Sequence, residues 1–202
     1  MEEKIKILIV PSLNGEWSAQ KLGEKLADLG YEIKSIEGAF GEIVGLRELS
    51  KSDYLAWKPD LVVAIGVGCI AVGTFVNAMR IMINPDYHYS DFLKEWVRDR
   101  QERIDSGIYD DDQLFEVKRD CEDAEYDARV AEILESKEKS LRGEKPMLGI
   151  FTHESEDIAS YKERYGDYEV NPSLDLLKSE SLDIIAERIE LFLKETTRTR
   201  YR

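Results

Sequence analysis

The stretch VVAIGVGCIAVG at residues 62–73 combines an apolar run with glycines and a cysteine. The apolar run is typical of a buried strand, and the small residues after it predict a tight turn into a helix. Junctions of this kind hold the nucleophile in many hydrolases and the phosphates in dinucleotide-binding domains. The stretch therefore has three interpretations: a nucleophile turn, a phosphate loop, or packing alone.

The nucleophile interpretation requires the pattern G-x-S-x-G, because small residues must flank the nucleophile on its strained turn. With the nucleophile at position 68, Gly66 fits, but Gly68 itself has no side chain and Ile70 is large. With the nucleophile at position 69, Cys69 provides a thiol at a helix N-terminus, where the pKa of a thiol falls, but Val67 is large. Neither register completes the pattern.

The phosphate-loop interpretation rests on GVGCIA, which matches G-x-G-x-x-A, with Asp86 after the next strand as a ligand for a ribose. Such a loop normally follows the first strand of its unit, but the first strand here runs into PSLNGEW. In the packing interpretation, the glycines let a helix approach a strand closely, and Cys69 acts as a small buried hydrophobe.

Apolar and amphipathic segments alternate along the chain and predict an α/β fold. Predicted strands cover residues 5–10, 31–37, 61–66, 80–84, 147–151 and 168–170. Predicted helices cover a segment that ends at Gly30 and residues 43–57, 69–79, 113–140, 157–165 and 180–195. We expect one domain over residues 1–202, built as a mostly parallel sheet with helices on both faces. The charged block at about 86–145 predicts a helical insert over the carboxyl edge of the sheet, where ligands bind in such folds.

The composition excludes several classes of function. The chain has 42 acidic and 28 basic residues and a net charge of −14, which disfavours binding to nucleic acid and to anionic membranes. Its two cysteines form neither a disulfide framework nor a zinc motif, and we predict no metal and no cofactor. The N-terminal MEEKIKILIV lacks the features of a signal peptide, so we expect a cytoplasmic protein.

Several segments, taken in order, resemble the YqiA-like family of small esterases, which have the α/β-hydrolase fold. The family's first loop, its L-I-G-S-S-L-G-G turn and its V-N-P-A strand end match PSLNGEWSAQ, VVAIGVGCIA and IMINPD here. Its G-L-F-G-T-H-D-E-L-V segment matches LGIFTHESEDI, and its G-G-H before the last helix matches YEVNPSLD. The resemblance covers nearly the whole chain and implies the α/β-hydrolase fold.

Carried over to this chain, the family's catalytic triad is degenerate. The nucleophile position falls on Gly68, and the acid position falls on Glu154 or Glu156. The histidine position falls near Ser173, and no histidine follows His153. Because a triad needs a nucleophile and a base within hydrogen-bond reach, the resemblance implies an esterase relative without an intact triad.

The two histidines of the chain give a fallback hypothesis for catalysis. His153 lies in the predicted acid loop, at the same sheet edge as Cys69, so Cys69, His153 and a glutamate form an alternative catalytic set. His88 lies at the start of the insert. In the resembling family a histidine often opens the oxyanion segment, and Pro11 or Ser12 stands at that position here. The candidate pocket residues are Ser12, Leu13, Asn14, Gly68, Cys69, His88 and His153.

Three functions follow from these observations. The leading hypothesis is a non-hydrolytic α/β-hydrolase-fold protein that binds a small molecule or a protein partner. The first alternative is an ester or thioester hydrolase that uses Cys69 with His153 as its base. The second alternative is nucleotide binding at the glycine turn, residues 66–71. The sequence predicts neither the identity of the ligand nor an oligomeric state.

Overall fold

Six strands form one sheet in which every pairing is parallel. The computed structural model describes residues 4–13, 15–37, 42–140, 145–164 and 167–199, with backbone alone at 137–140, 164 and 197–199. The strand order is β2-β1-β3-β4-β5-β6. The strands are β1 (Lys6–Val10), β2 (Glu32–Ser35), β3 (Leu61–Ile65), β4 (Met79–Ile83), β5 (Met147–Phe151) and β6 (Tyr168–Val170).

Seven helices connect or flank these strands in the described parts of the chain. They are α1 (Glu16–Asp28), α2 (Ile43–Trp57), α3 (Gly68–Val72), α4 (Tyr89–Asp105), α5 (Asp111–Ser140), α6 (Asp157–Arg164) and α7 (Ser179–Thr199). None of them combines the length and the apolar character that a membrane crossing requires.

The central strands are buried on both faces, because helices cover each side of the sheet. The side chains of β1, β3 and β4 alternate between two apolar clusters, and α1 and α7 complete one cluster. The other cluster includes residues of α2, α3, α5 and α6. Continuous apolar runs without a polar face are typical of strands in such a layered parallel sheet. The predicted parallel sheet with helices on both faces is confirmed.

The helix predicted at 69–79 is wrong in its extent, because α3 ends at Val72. The chain beyond it turns and binds to α2 instead of continuing the helix. Arg47 donates a hydrogen bond of 2.5 Å to the Thr74 hydroxyl, and the Asn77 N–H donates one of 3.2 Å to the Tyr54 hydroxyl. These tertiary contacts override the helical tendency of the small apolar residues.

The segment at about 86–145 forms two helices where the sequence predicted one. Helix α4 was missed because its charged residues obscure a narrow stripe of apolar positions that packs on α5. Gly107 separates the two helices with a φ of +69°, and its N–H donates to the Ile104 carbonyl, as in a helix C-terminal cap. Between Lys94 and Asp120 no residue is buried, so the two helices form an arm, whereas Ala128 and Ala131 of α5 pack in the core.

We expect Gly149→Ala to lower the free energy of unfolding by about 1–3 kcal/mol through overpacking. A Cβ on Gly149 would lie 2.7 Å from the ring of Tyr161, which is fully buried and cannot move aside. Gly45→Ala is the matched control, since a Cβ there meets nothing within 4 Å and α2 gains up to about 1 kcal/mol. Urea unfolding measures both, and equal effects of the two variants would contradict the packing argument.

Candidate functional site

The candidate site lies at the switch point of the sheet, where the strand order reverses. Strands β1 and β3 are neighbours, but the chain leaves β1 for β2 on one side and leaves β3 for β4 on the other. The carboxyl ends of two such strands border a crevice, and ligands of open parallel sheets bind in this crevice. The residues at this point are Pro11 and Ser12 after β1 and Gly66, Val67 and Gly68 after β3.

The turn after β3 depends on two glycines. Gly66 has a φ of +55°, a left-handed backbone conformation that residues other than glycine rarely adopt. A Cβ on Gly68 would lie 2.5 Å from the Pro11 carbonyl oxygen and 2.8 Å from that of Val10. Gly68 is therefore required by the close approach of α3 to the backbone that follows β1. The left-handed residue of the turn is Gly66, two positions before Gly68, on which the resemblance to YqiA-like esterases places the nucleophile.

The hydroxyl of Ser12 lies where a side chain at position 66 would begin. A Cβ on Gly66 would be 2.7 Å from the Ser12 Oγ and 3.0 Å from the Ser12 Cβ. Ser12 is half-buried, and the Gly15 N–H donates to its carbonyl within the loop after β1. The point at which a nucleophile would leave the turn is thus covered by a hydroxyl from the neighbouring loop.

Cys69 lies in the core and not at the surface of the site. Its side chain is fully buried, and its Sγ is 3.9 Å from the Ile83 carbonyl oxygen. It packs in the apolar cluster that also holds Ile70 and Ala71. This position favours the packing interpretation of the cysteine, because a nucleophilic thiol needs access to its substrate.

Four of the other sequence-predicted site residues lie on the surface of the loops after β5 and β6. His153, Glu154 and Glu156 are exposed, and the His153 Nδ1 is 3.4 Å from the Thr152 hydroxyl. Ser173 is exposed and donates a hydrogen bond of 2.6 Å to the Asn171 side chain. Leu13 is partly buried and packs on the core. Asn14 lies outside the described residues.

A polar cluster beside the turn combines His88 with two carboxylates. The His88 Nε2 is 3.9 Å from the Asp157 Oδ1, and the backbone N–H of His88 donates to the Asp86 carboxylate at 3.1 Å. The Asp86 N–H in turn reaches the Gly66 carbonyl oxygen at 3.4 Å. The Asp157 carboxylate also accepts the Tyr87 N–H at 3.0 Å. These contacts join the loops after β3, β4 and β5 into one polar wall.

The sequence did not reveal Asp86 and Asp157 as parts of one site. It indicates Asp86 only as a candidate ligand for a ribose. The signal available was the position of each acid directly after a buried strand or its loop, although the partner cannot be read from spacing. Burial raises the pKa of the Asp86 carboxyl, and the nearby charge of Asp157 raises this pKa further. The bond from the His88 N–H partly offsets this rise by stabilising the charged form.

A pair of hydrogen bonds fixes the loops after β4 and β5 to each other. The Asn84 side chain donates to the Thr152 hydroxyl and accepts the Thr152 N–H, both at 2.8 Å. Asn84 has a φ of +45°, a conformation that asparagine tolerates better than most residues. This clamp holds the loop with His88 beside the loop with Asp157.

The described residues contain no group of three or more histidine, cysteine or acidic side chains arranged to hold a metal ion. The fold and the site define an α/β protein with a parallel sheet and a polar cluster at the carboxyl ends of its strands. No protein-family model matches the chain, and no curated protein matches it either. The resemblance to YqiA-like esterases therefore supports a proposal about function and not an assignment to that family.

We expect both cysteines to resist a thiol reagent such as dithionitrobenzoate in the native protein and to react fully in guanidinium chloride. Cys69 is fully buried, and burial also raises the pKa of Cys121, which lowers its thiolate fraction. The Cys69→Ala and Cys121→Ala variants assign any native reaction to one thiol. Rapid native labelling that Cys69→Ala removes and Cys121→Ala retains would contradict the packing interpretation.

We expect Asp86→Asn to stabilise the protein at neutral pH more than at low pH. The folded-state pKa of Asp86 is raised, so folding carries no penalty below the unfolded-state pKa of about 3.9 and the full penalty above the folded-state pKa. Asparagine keeps an oxygen to accept the His88 N–H without the charge.

Urea unfolding of both proteins at several pH values between acid and neutral measures this difference. The exposed Glu154→Gln serves as the control for loss of one negative charge from the same sheet edge. A gain for Asp86→Asn that is constant or shrinks as the pH rises would refute the burial argument.

Proposed function

We propose that this chain is a non-hydrolytic relative of small α/β-hydrolase-fold esterases, and that it binds a ligand in the crevice between β1 and β3. The order of its strands, the turn after β3 and the polar wall from the loops after β4 and β5 all support this proposal. The all-parallel sheet and its switch point are also compatible with other α/β folds, so the proposal rests on the turn.

The single observation that carries the proposal is the glycine with positive φ directly after β3. A nucleophile elbow holds its nucleophile on such a strained residue, with small residues two positions away on each side. With position 66 as the nucleophile position, Ala64 and Gly68 are the small flanking residues. The backbone of an elbow is thus combined with Gly66, a residue that has no nucleophile.

The surroundings of Gly66 also lack the hydrogen bonds of a catalytic set. The Ser12 hydroxyl is closest to the missing side chain, but no hydrogen bond joins Ser12 to a histidine among the described residues. His88 contacts Asp157 and Asp91 at 3.9 and 4.0 Å, which is longer than a hydrogen bond. Nucleophilic catalysis needs a base within reach of the nucleophile, so binding is the better supported activity.

The charges of the crevice favour a neutral ligand over an anionic one. Asp86 and Asp157 add negative charge to the polar wall, and the whole chain carries −14. An anion would be repelled, whereas amide or hydroxyl groups can bond to the Ser12 hydroxyl and the His88 ring. The negative charge also disfavours the nucleotide alternative, because phosphates would be repelled. In addition, the packing of the turn already accounts for the glycines at 66 and 68.

We expect no turnover of p-nitrophenyl acetate or butyrate beyond that of an inert protein. The Ser12→Ala, Cys69→Ala, His88→Ala and His153→Ala variants should give the same background rate as the parent, because none of these residues belongs to a hydrogen-bonded catalytic set. Circular dichroism verifies that each variant is folded. A parent rate above background that one folded variant abolishes would contradict the proposal and would identify the nucleophile or the base.

Binding is tested by titrating the isotope-labelled chain with butyramide and, as the matched anion, with butyrate. We expect butyramide to shift the amide resonances of Ser12, Val67 and His88, and butyrate to shift them less because of the acidic wall. Shifts for butyramide that avoid all three residues, or a preference for the anion, would refute a neutral-ligand site in this crevice.

A further inference from the structure

The outward face of α5 carries large apolar side chains that the fold leaves in solvent. Phe115, Tyr126 and Ile133 are 73%, 57% and 52% exposed. Their separations of 11 and 7 residues correspond to about three and two helical turns, so all three project from one face. The face that packs inward carries Cys121, Ala128 and Ala131 and lies on the opposite side of the helix. The exposed residues therefore form a stripe that points away from the body.

Charged residues of both signs alternate with these apolar residues on the same face. Asp112, Arg119, Glu122 and Arg129 are all exposed and lie within about a quarter to a third of the helix circumference that holds the stripe. Arg119 is 3.7 Å from the Asp120 carboxylate, a contact between two exposed groups that contributes little. The stripe with its intervening charges is called the outer face below.

The order of residues on the outer face is complementary to itself when reversed. Counted outward from the midpoint between Asp120 and Cys121, Arg119 and Glu122 are equally distant from it, on opposite sides. The next matched pair is Phe115 with Tyr126. The third matched pair is Asp112 with Arg129. Two matched pairs have opposite charges and one is aromatic, so no pair on the outer face is like-charged.

We propose that α5 pairs antiparallel with the α5 of a second copy of this chain. The twofold axis crosses the outer face of α5 at the level between Asp120 and Cys121. In a twofold interface each pair occurs twice, because residue i contacts residue j and j contacts i. Arg119 of each copy lies opposite Glu122 of the other, and Phe115 of each copy lies opposite Tyr126. Ile133 extends the apolar contact towards the turn between α4 and α5 of the other copy, which exposes Ile108.

The arm makes this contact accessible. Residues 94–120 bury nothing against the sheet, so a second copy can lie along the outer face without displacing the body. From Asp112 to Ile133 the contact would run for about 33 Å along the helix. Two copies with −14 each repel one another, and the matched charge pairs supply local attraction that fixes orientation and register.

Sedimentation velocity of the full chain under reducing conditions tests the pairing over a concentration series reaching the high micromolar range. We expect the mass to rise with concentration from 23.3 kDa towards twice that value. Arg119→Glu and Glu122→Arg should each weaken association by about tenfold or more, because each creates two like-charged pairs. A parent chain that stays monomeric throughout would overturn the proposal.

The charge reversals supply their own rescue controls. The double variant R119E/E122R should associate like the parent, since its two opposite-charge pairs are restored with reversed polarity. An equimolar mixture of the two single variants should form a heterodimer, because one copy then carries two glutamates and the other carries two arginines. Weakened single variants that neither combination rescues would overturn the proposed register.

The apolar part of the outer face is tested by Phe115→Ala. Leu55→Ala is the matched control, because Leu55 is a 61% exposed apolar residue on α2, away from the arm. Only Phe115→Ala should weaken association, with circular dichroism unchanged for both. Equal weakening by both variants would indicate nonspecific apolar association and would contradict pairing through α5.

Discussion

The close approach of the turn after β3 to the end of β1 is the constraint on which the candidate site depends. Gly68 lies against the carbonyl groups of Val10 and Pro11 at distances that leave no room for a Cβ. This approach brings Ser12 over Gly66 at the switch point of the sheet, where the strand order reverses. Since the Gly66 carbonyl also accepts the Asp86 N–H, the same turn positions the polar wall. The packing of this turn therefore also determines the geometry of the candidate site.

Two buried carboxylates of α5 fix the base of the α4–α5 arm, one to the body and one between the two helices of the arm. Asp127 of α5 accepts the Ile43 N–H at the start of α2, and Glu135 accepts the N–H and the hydroxyl of Ser90 on α4. Burial raises the pKa of both carboxyls, and it raises the pKa of Tyr89 to about 12, with Asp127 adding to that rise. These groups are costly to bury, but their N–H donors fix direction as well as position. The outer face of α5 is thus held at a defined angle to the sheet.

The sequence was sufficient to predict the sheet and most helices, because apolar runs such as those of β1 and β3 have few alternative structures. It failed where tertiary contacts or charges decided the outcome. Thr74 and Asn77 end α3 early through bonds to α2, and α4 has too few apolar residues to reveal its period. Ser12, His88 and the glycine turn were expected at the carboxyl edge of the sheet, and they follow the carboxyl ends of β1, β4 and β3 in the structure. The geometry of the site was not predicted, since neither the φ of Gly66 nor the contact of His88 with Asp157 is encoded in spacing.

A glycine at position 66 also has a consequence for stability. A side chain held at positive φ costs roughly 1–2 kcal/mol, and enzymes tolerate this strain because it positions their nucleophile. Gly66 adopts the same backbone without that cost, and Ser12 occupies the space that a side chain would need. Placing a nucleophile in this turn would therefore require both strain at position 66 and a smaller residue at position 12. The turn thus keeps its left-handed backbone without the strain of a side chain, and the Ser12 hydroxyl closes the space above it.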